Sequence, residues 1–192
     1  MNLLVHVHRL AADSRPKLEA HFLSLSSADL RLRFGASVSP TAIQEYVARI
    51  DFDRDAVFGV YDDDLALVGV AHLARNSEAA ELGLSILPGF RGKGIGSALF
   101  RRAHEHSRNH LIGALFMHCL AENETMMHIA RKSGMKIVTH PGEAQAFLDL
   151  PPGSPSTIAQ ELIEDQAALF DFALKSQVLA ARGILHTTRL RR

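Results

Sequence analysis

Three glycines stand within five residues in the segment RGKGIGS, which runs from Arg91 to Ser97. The apolar pattern before this segment predicts a strand that ends at Leu87, and the pattern after it predicts a helix that begins at Ile95. Glycines let backbone N–H groups approach a ligand closely, and a helix N-terminus adds the positive end of a dipole. Arg91 and Lys93 add charge. The segment therefore predicts a site for a phosphate or pyrophosphate group, and a glycine turn that binds nothing is the alternative.

Two familiar phosphate-binding loops do not fit this segment. A Walker A loop needs Ser or Thr directly after its Gly-Lys pair, whereas Gly94 follows Lys93. A dinucleotide-binding G-x-G-x-x-G that starts at Gly92 needs a third glycine where Ser97 stands.

The elements around the segment predict an α/β (α+β) fold with a mixed, mostly antiparallel sheet flanked by helices. Helices are expected near Pro16–Leu25, Ser27–Phe34, Pro40–Ile50, Ile95–Arg108 and Asn123–Lys132. Strands are expected at Leu3–Leu10, Ala56–Tyr61, Leu65–Ala74, Ala80–Leu87, Ile112–Ala121, Lys136–Thr139 and Ala144–Leu150. The strand Ile112–Ala121 is nearly all apolar, which predicts burial on both faces.

A break rich in proline precedes a long amphipathic helix, expected at Thr157–Ala181 and ending at Gly183, with a frayed tail HTTRLRR. We therefore divide the chain into a domain over residues 1–150 and a helical extension over residues 151–192 that packs on the same domain. The apolar stripe of the helix consists of Ile158, Leu162, Leu169, Phe170, Ala173, Leu174 and Val178. Packing of this stripe on its own domain is the ordinary expectation, and a homodimer contact is the alternative.

Composition narrows the class of function. The chain has 192 residues, 21 basic and 21 acidic side chains and a formal net charge of zero, so we expect neither a nucleic-acid nor a membrane-surface partner. Neither a signal peptide nor an apolar run long enough for a bilayer is evident, which predicts a cytoplasmic protein. The single cysteine, Cys119, excludes an internal disulfide and is expected to be a buried, inert thiol.

Several separated motifs resemble the GNAT superfamily of N-acetyltransferases. The run ILPGFRGKGIGSALF is similar to its acyl-CoA pyrophosphate loop and following helix, and LAENETMMHIARKSGMKI is similar to its second motif. LRLRFG and IDFDRDAVFGV resemble the N-terminal motifs of Pat-type protein-lysine acetyltransferase domains. The resemblance spans roughly residues 26–137 and does not cover the long C-terminal helix.

This resemblance implies acetyl-CoA as co-substrate and an amine as acceptor. Backbone groups of the strand end would pair with the pantetheine arm, an N–H near Ile86 would polarise the thioester carbonyl, and amides of the glycine segment would hold the pyrophosphate. The implied binding residues are Leu84, Ser85, Ile86, Arg91, Gly92, Lys93, Gly94, Ile95, Gly96, Ser97 and Asn123. Asn123 also stands where it can cap the helix that follows it.

Glu81 stands ten residues before Arg91, where the Pat-type catalytic glutamate lies. An alkylamine must lose a proton before it attacks a thioester, and we expect Glu81 to accept that proton directly or through a water. Its apolar neighbours predict desolvation, which makes a carboxylate a stronger base. The alternative role is an edge charge paired with an arginine. Many GNAT members carry a tyrosine as general acid where this chain has Ala130, and Pat-type domains commonly lack it.

Histidines are numerous, at 11, and we expect no metal site among them. His106 and His110 stand one helical turn apart, but no third ligand with matching spacing is evident and this helix face is expected to meet water. His6 and His8 are expected near a sheet edge. His72 and His118 lie in predicted interior strands, so each is a reserve candidate for proton transfer, with a hydrogen-bonded core histidine as the commoner case.

Together these features predict a GNAT N-acetyltransferase that transfers an acetyl group directly in a ternary complex, with a primary amine such as a protein lysine as acceptor. A small-molecule amine or amino-acid acyltransferase is the nearest alternative. An acyl-CoA-binding regulatory module without turnover is the alternative from another class, and a base at Glu81 separates the two, since a sensor needs none.

Overall fold

The computed structural model describes residues 5–189 of the chain, with side chains described through Arg182. The six helices are α1 (Arg15–Leu23), α2 (Ser27–Phe34), α3 (Pro40–Arg49), α4 (Ile95–Asn109), α5 (Glu124–Lys132) and α6 (Pro155–Arg189). The seven strands are β1 (His8–Leu10), β2 (Ala56–Tyr61), β3 (Leu67–Arg75), β4 (Ala79–Ile86), β5 (Ala114–Leu120), β6 (Lys136–His140) and β7 (Glu143–Asp149).

All seven strands form one sheet in the order β1-β2-β3-β4-β5-β7-β6. Every neighbouring pair is antiparallel except β4 and β5, which run parallel. The parallel pair is joined through α4, as a parallel connection requires a crossover. The expected mixed, mostly antiparallel sheet is thus confirmed.

Successive side chains of the central strands point to opposite faces of the sheet, and each face has its own hydrophobic core. Val57 and Val70 face α1, α2 and α3, whereas Phe58 and Ala71 face α4 and α5. On the first face α2 is the last helix, and it contacts β4 and one part of β5. The strands β5 and β7 therefore leave an open surface next to the first core.

Local capping chemistry explains where the short helices begin and end. Ser26 accepts a hydrogen bond from the amide of Asp29 at the start of α2, and Ser39 caps α3 in the same way. Gly35 ends α2 with a φ of 77°, in the left-handed region where glycine carries no penalty. α1 begins without a side-chain cap, since Ser14 occupies the cap position and its side chain makes no hydrogen bond to the helix.

Three expectations about the elements are wrong. The first strand covers only His8–Leu10, and the part of it predicted at residues 3–4 lies outside the described residues. β5 is buried on one face only, since Leu115 and Met117 are buried whereas His118 is exposed. The last helix continues through Gly183 to Arg189, so residues 186–189 of the expected tail are helical, and residues 190–192 lie outside the described residues.

The apolar stripe of α6 does not pack on its own domain, contrary to the ordinary expectation. α6 contacts α4 and β1, but Leu162, Phe170 and Leu174 are all more than half exposed. Among the residues that the structure describes, no helix is long and apolar enough to cross a membrane.

A buried histidine joins α1 to the middle of the sheet. The Nδ1 of His21 donates to the carbonyl oxygen of Leu67 at 2.9 Å, and its Nε2 lies 2.8 Å from the hydroxyl of Ser85, which donates to it. Burial lowers the pKa of His21 from 6.5 to about 4, so the ring is neutral and can act as donor and acceptor at once. These two bonds hold the end of β4 against β3 and α1.

We expect His21→Gln to flatten the pH dependence of stability. Between pH 6.5 and about 4 the unfolded chain binds a proton on His21 that the folded chain does not, so stability falls as pH decreases through this window. A shift of this size corresponds to about 3 kcal/mol. Urea unfolding at several pH values should show the wild type losing about that much more than the variant. The exposed residue His128 provides the control, because His128→Gln should reproduce the wild-type pH dependence.

Candidate active site

The parallel strands β4 and β5 separate after a short contact. Their register pairs are Ala79 with Ala114, Ala80 with Leu115 and Glu81 with Phe116. β4 then continues to Ile86 alongside β3, while β5 continues to Leu120 paired only with β7. Among the described strands none pairs with the other edge of β4 beyond Glu81. This leaves a cleft between the two strands. Glu81 marks its closed end, and the unpaired backbone edge of β4 forms one of its walls.

A small cavity of about 90 Å³ lies at the open end of this cleft. Five of the residues predicted to bind the co-substrate line it, namely Leu84, Ser85, Ile86, Arg91 and Asn123. The structure thus brings together residues from β4, the glycine segment and the start of α5, although they are up to 39 positions apart in sequence.

The remaining predicted binding residues form the turn beside the small cavity and the first turn of α4. They are Gly92, Lys93, Gly94, Ile95, Gly96 and Ser97. Gly92 and Gly94 have φ values of 74° and 82°, which side-chain-bearing residues rarely adopt. Gly94 is also the N-cap of α4 and supplies no side chain to it, so the first amides of the helix are left for solvent or a ligand.

Gly96 has a different role, because it allows close packing. A Cβ at Gly96 would lie 3.0 Å from the side chain of Ile129 in α5 and 3.1 Å from that of Ile86 in β4. The side chain of Ile95 is buried in the core beneath the turn. These contacts fix the start of α4 against the strand that forms the cleft.

The two basic residues of the segment are placed differently. Arg91 donates through Nε to the carbonyl oxygen of Ile86 at 3.1 Å and forms an ion pair of 2.7 Å with Asp29 of α2. The ammonium of Lys93 lies 4.9 Å from the ring centre of Phe90 and is open to solvent. Arg91 therefore ties the glycine segment to α2, and Lys93 is the cation left free for a ligand at this turn.

Asn123 is buried and caps α5. Its Oδ1 accepts from the amide of Met126 at 3.1 Å, and its Nδ2 donates to the carbonyl oxygen of Leu32 at 3.3 Å. The capping role expected for Asn123 is thus confirmed, and the side chain also connects α5 to α2 across the cleft.

A larger cavity of about 450 Å³ lies on the other side of the closed end, over the open surface of the sheet. Its polar lining includes Arg33, Tyr46, His72, Glu81, His118 and Glu143. Glu81 is exposed at this cavity, so the expectation that its apolar neighbours desolvate it is wrong. Alternation along β4 is the reason, because Ala80 and Leu82 face the core while Glu81 faces outward.

Arg33 separates the two cavities and lines both. Its guanidinium lies against the backbone of Gly83, and any side chain at that position would collide with it. A glycine in the middle of β4 is therefore required for Arg33 to cross the strand at the point where the two cavities adjoin.

A hydrogen-bonded chain of buried groups holds Arg33 in this position. Arg33 Nη2 donates to Tyr46 Oη at 3.0 Å, and Tyr46 Oη lies 2.7 Å from His72 Nδ1. His72 Nε2 lies 3.1 Å from Asp55 Oδ2. Burial lowers the pKa of His72, so the neutral ring donates to Asp55 and accepts from the Tyr46 hydroxyl.

The carboxylate end of this chain is ionised. Burial opposes ionisation of Asp55, but hydrogen bonds from Arg54, His72 and the amide of Arg75 outweigh it and lower its pKa. Burial raises the pKa of the Tyr46 phenol, which keeps its proton for His72. The chain thus runs from a cation at the cavity to an anion at the edge of β2.

Sequence reasoning missed three of these four residues. Arg33 lies in LRLRFG and Asp55 in IDFDRDAVFGV, so the two Pat-like motifs contained a signal for them. Tyr46 carries no local signal and is recognisable only once α3 is packed beside β3.

The reserve candidate His72 is a buried, hydrogen-bonded histidine, whereas His118 is exposed and pairs with Glu143 at 3.2 Å. Cys119 is half-buried at the large cavity, and burial raises the pKa of its thiol.

The histidine pair on α4 lies in a charged network and not on a solvated face. His106 is buried, and Glu161 of α6 supplies a third group, so that ligand-type atoms of His106, His110 and Glu161 lie within 4.8 Å. However, Arg9 donates to His106 at 2.9 Å, and Arg102 pairs with Glu161 at 2.6 Å. Two guanidinium groups oppose a divalent cation there, and we interpret the cluster as an ion-pair network.

The comparison with known protein families agrees with this architecture. Residues 11–136 match the family model of the acetyltransferase (GNAT) domain, which is well over half of the chain. The chain belongs to the GNAT acetyltransferase family. Family membership indicates acyltransferase activity, and it fits a cleft between β4 and β5 flanked by a glycine turn at a helix N-terminus.

Solved structures of GNAT proteins share the fold. The GNAT domain of PAT from S. lividans is 17% identical with a TM-score of 0.65, and the match covers 75% of this chain and 89% of that one. Ribosomal-protein-alanine N-acetyltransferase from Brucella melitensis is 18% identical, with a TM-score of 0.61 and coverage of 75% and 99%. PaiA N-acetyltransferase from Thermoplasma acidophilum, solved in complex with coenzyme A, is 15% identical, with a TM-score of 0.59 and coverage of 77% and 99%.

We expect Tyr46 and His72 to be energetically coupled. Tyr46→Phe leaves buried groups of His72 and Arg33 without their partner, which costs about 1–3 kcal/mol of unfolding free energy. His72→Phe should cost a similar amount. Urea unfolding of both variants and of the double variant measures the coupling. If the hydrogen-bonded side chains act as a unit, the double variant loses less unfolding free energy than the sum of the two single losses. Simple additivity of the losses would contradict the coupling.

Proposed function

We propose that this protein is an N-acetyltransferase that takes an acetyl group from acetyl-CoA and transfers it directly to a primary amine. The observation that carries the proposal is that two cavities adjoin at the β4–β5 cleft, where Arg33 lines both of them. One cavity adjoins the glycine turn, and the other contains the carboxylate of Glu81. An acyl group carried along the cleft would meet an amine entering from the large cavity.

The residues present fit CoA as the co-substrate. The free edge of β4 at Leu84, Ser85 and Ile86 offers backbone groups to an amide-bearing arm, as an added strand would use them. The uncapped amides of α4 and the exposed ammonium of Lys93 suit a pyrophosphate. Asn123 retains further donor and acceptor capacity towards the small cavity beyond its two hydrogen bonds.

Glu81 is the base in this mechanism. The acceptor enters the large cavity as an ammonium, to which the carboxylates of Glu81 and Glu143 are electrostatically complementary. Glu81 removes the proton, directly or through a water, and the free amine attacks the thioester carbon. A backbone N–H near Ile86 stabilises the resulting oxyanion. The carbon–sulfur bond then breaks, the nitrogen gives up its surplus proton to solvent, and the thiolate takes a proton from water, since Ala130 stands where other members have a tyrosine.

A lysine side chain and a small amine present the same chemistry to this cavity. The position of the cavity over the open surface of β5 and β7 favours a lysine presented by a protein.

The acceptor class is tested by mixing protein and acetyl-CoA with lysine peptides, free amino acids and small amines while free thiol is followed. Thiol release with small amines alone would support the small-molecule alternative. CoA binding without thiol release above hydrolysis assigns the regulatory-module alternative.

We expect Glu81→Gln to lower kcat/KM by about a hundredfold or more, because the amide cannot accept a proton. The measurement is thiol release across a pH series with the best acceptor. Glu78→Gln is the matched control, since Glu78 is exposed in the neighbouring turn and should leave kcat/KM unchanged. A Glu81→Gln variant that keeps full kcat/KM at every pH would exclude the assigned base.

We expect Lys93→Ala to weaken CoA binding by about five- to tenfold at low salt, because a charge-assisted contact to phosphate is lost. Calorimetric titration with CoA measures the dissociation constant, and the difference between the two proteins should shrink as salt is added. Lys132→Ala removes an equally exposed charge at the end of α5 and should have no effect. If the wild-type protein showed no affinity for CoA in this titration, the proposed function would be overturned.

A further inference from the structure

The helix α6 is amphipathic in the opposite sense to an ordinary surface helix. Between Pro155 and Ala181, all charged residues lie on the side that faces the domain and are buried or half-buried. They are Glu161, Glu164, Asp165, Asp171 and Lys175. In the same described stretch, every exposed residue is uncharged. A surface helix normally buries its apolar stripe and exposes its charges.

The inward charges are held by specific partners on the domain. Arg102 of α4 is 1% exposed and pairs with both Glu161 and Asp165. Arg101 pairs with Glu164 at 2.7 Å, and Lys175 donates to the carbonyl oxygen of Tyr61 at 3.2 Å. Breaking a buried pair leaves an uncompensated charge, so these contacts fix which side of α6 faces inward.

The outward side carries the large apolar residues. They are Ile158, Leu162, Ile163, Leu169, Phe170, Leu174 and Val178, with exposures from 40% to 72%. At the usual helix rise and diameter, the stretch from Ile158 to Val178 is about 30 Å long and about 10 Å wide. A contiguous exposed apolar patch of about 300 Å² is of the size that often marks an interaction site.

We propose that this outer face of α6 is the interface of a homodimer in which two copies of the helix pair antiparallel about a two-fold axis. Because the face has no charge, two copies meet without repulsion or unpaired charges. A helix that lies on a membrane surface would carry lysines and arginines along its polar flank, whereas the flank of this face carries mainly acidic residues.

The sequence of the face is complementary to itself in this arrangement. A two-fold contact places residue i opposite j whenever j is opposite i, so an axis at the height of Ala168, whose own side chain is buried against the domain, sets Leu162 level with Leu174 across the helix pair. The same axis places the bulky Phe170 opposite Gln166. Ile163 then lies opposite Ala173. At these two central positions a large residue meets a smaller one, as close packing requires.

Sedimentation velocity of the full chain over a range of concentrations tests the dimer. We expect the wild type to reach twice the monomer mass and Phe170→Glu to weaken association by about a hundredfold, since the substitution occurs twice in a symmetric interface. Val138→Glu changes an exposed apolar residue on β6 in the same way and should leave association unchanged. Unaltered circular dichroism of Phe170→Glu shows that the variant is folded. A monomeric wild type, or a dimer that Phe170→Glu leaves intact, overturns the proposal.

Cross-linking tests the direction of the helices. In a Cys119→Ser background, a mixture of Leu162→Cys and Leu174→Cys should form a disulfide-linked dimer on mild oxidation, and neither variant should do so alone. Cross-linking of Leu162→Cys with itself would instead show a parallel pair and overturn the antiparallel arrangement.

Discussion

The short parallel contact between β4 and β5 is the constraint on which the rest of the site depends. Backbone groups of a strand need hydrogen-bond partners, and β4 loses its neighbour after Glu81 while still buried among helices. The gap does not collapse because Arg33 crosses it over Gly83 and Asn123 ties α5 to α2 at its open end. An unfilled strand edge is thus kept available, with a carboxylate at one end and helix amides at the other.

Much of the fold follows from local rules that the sequence displays directly. The caps Ser39 and Asn123 and the left-handed Gly35 act within one turn, so the expected helix bounds near them lie within a residue or two of those observed. The glycine turn is equally local, because a glycine turn between strand and helix fixes its own geometry. Glu81 was indicated by the resemblance to Pat-type domains, and its exposure followed only from the pleat of the finished sheet.

The orientation and length of α6 could not be read in this way. Periodicity identifies an apolar stripe but not the side on which the domain lies, and here the buried guanidinium of Arg102 attracts the acidic side of the helix. Gly183 was expected to end the helix, yet a glycine inside a helix costs only about 1 kcal/mol. Neighbouring turns of α6 offset that cost. Both errors come from weighing a local preference without the long-range partner that overrides it.

The hydrogen-bonded chain at the large cavity shows the same dependence on distant partners, with a chemical consequence. A neutral His72 can donate in only one direction, so Asp55 on one side determines that Tyr46 donates on the other. Tyr46 then has only lone pairs to offer Arg33, which suits a cation. A protonated His72 would donate from both nitrogens and turn the Tyr46 hydroxyl proton towards Arg33, where it meets a positive charge. Burial, by lowering the pKa of His72, therefore keeps the cation at the junction of the two cavities in place.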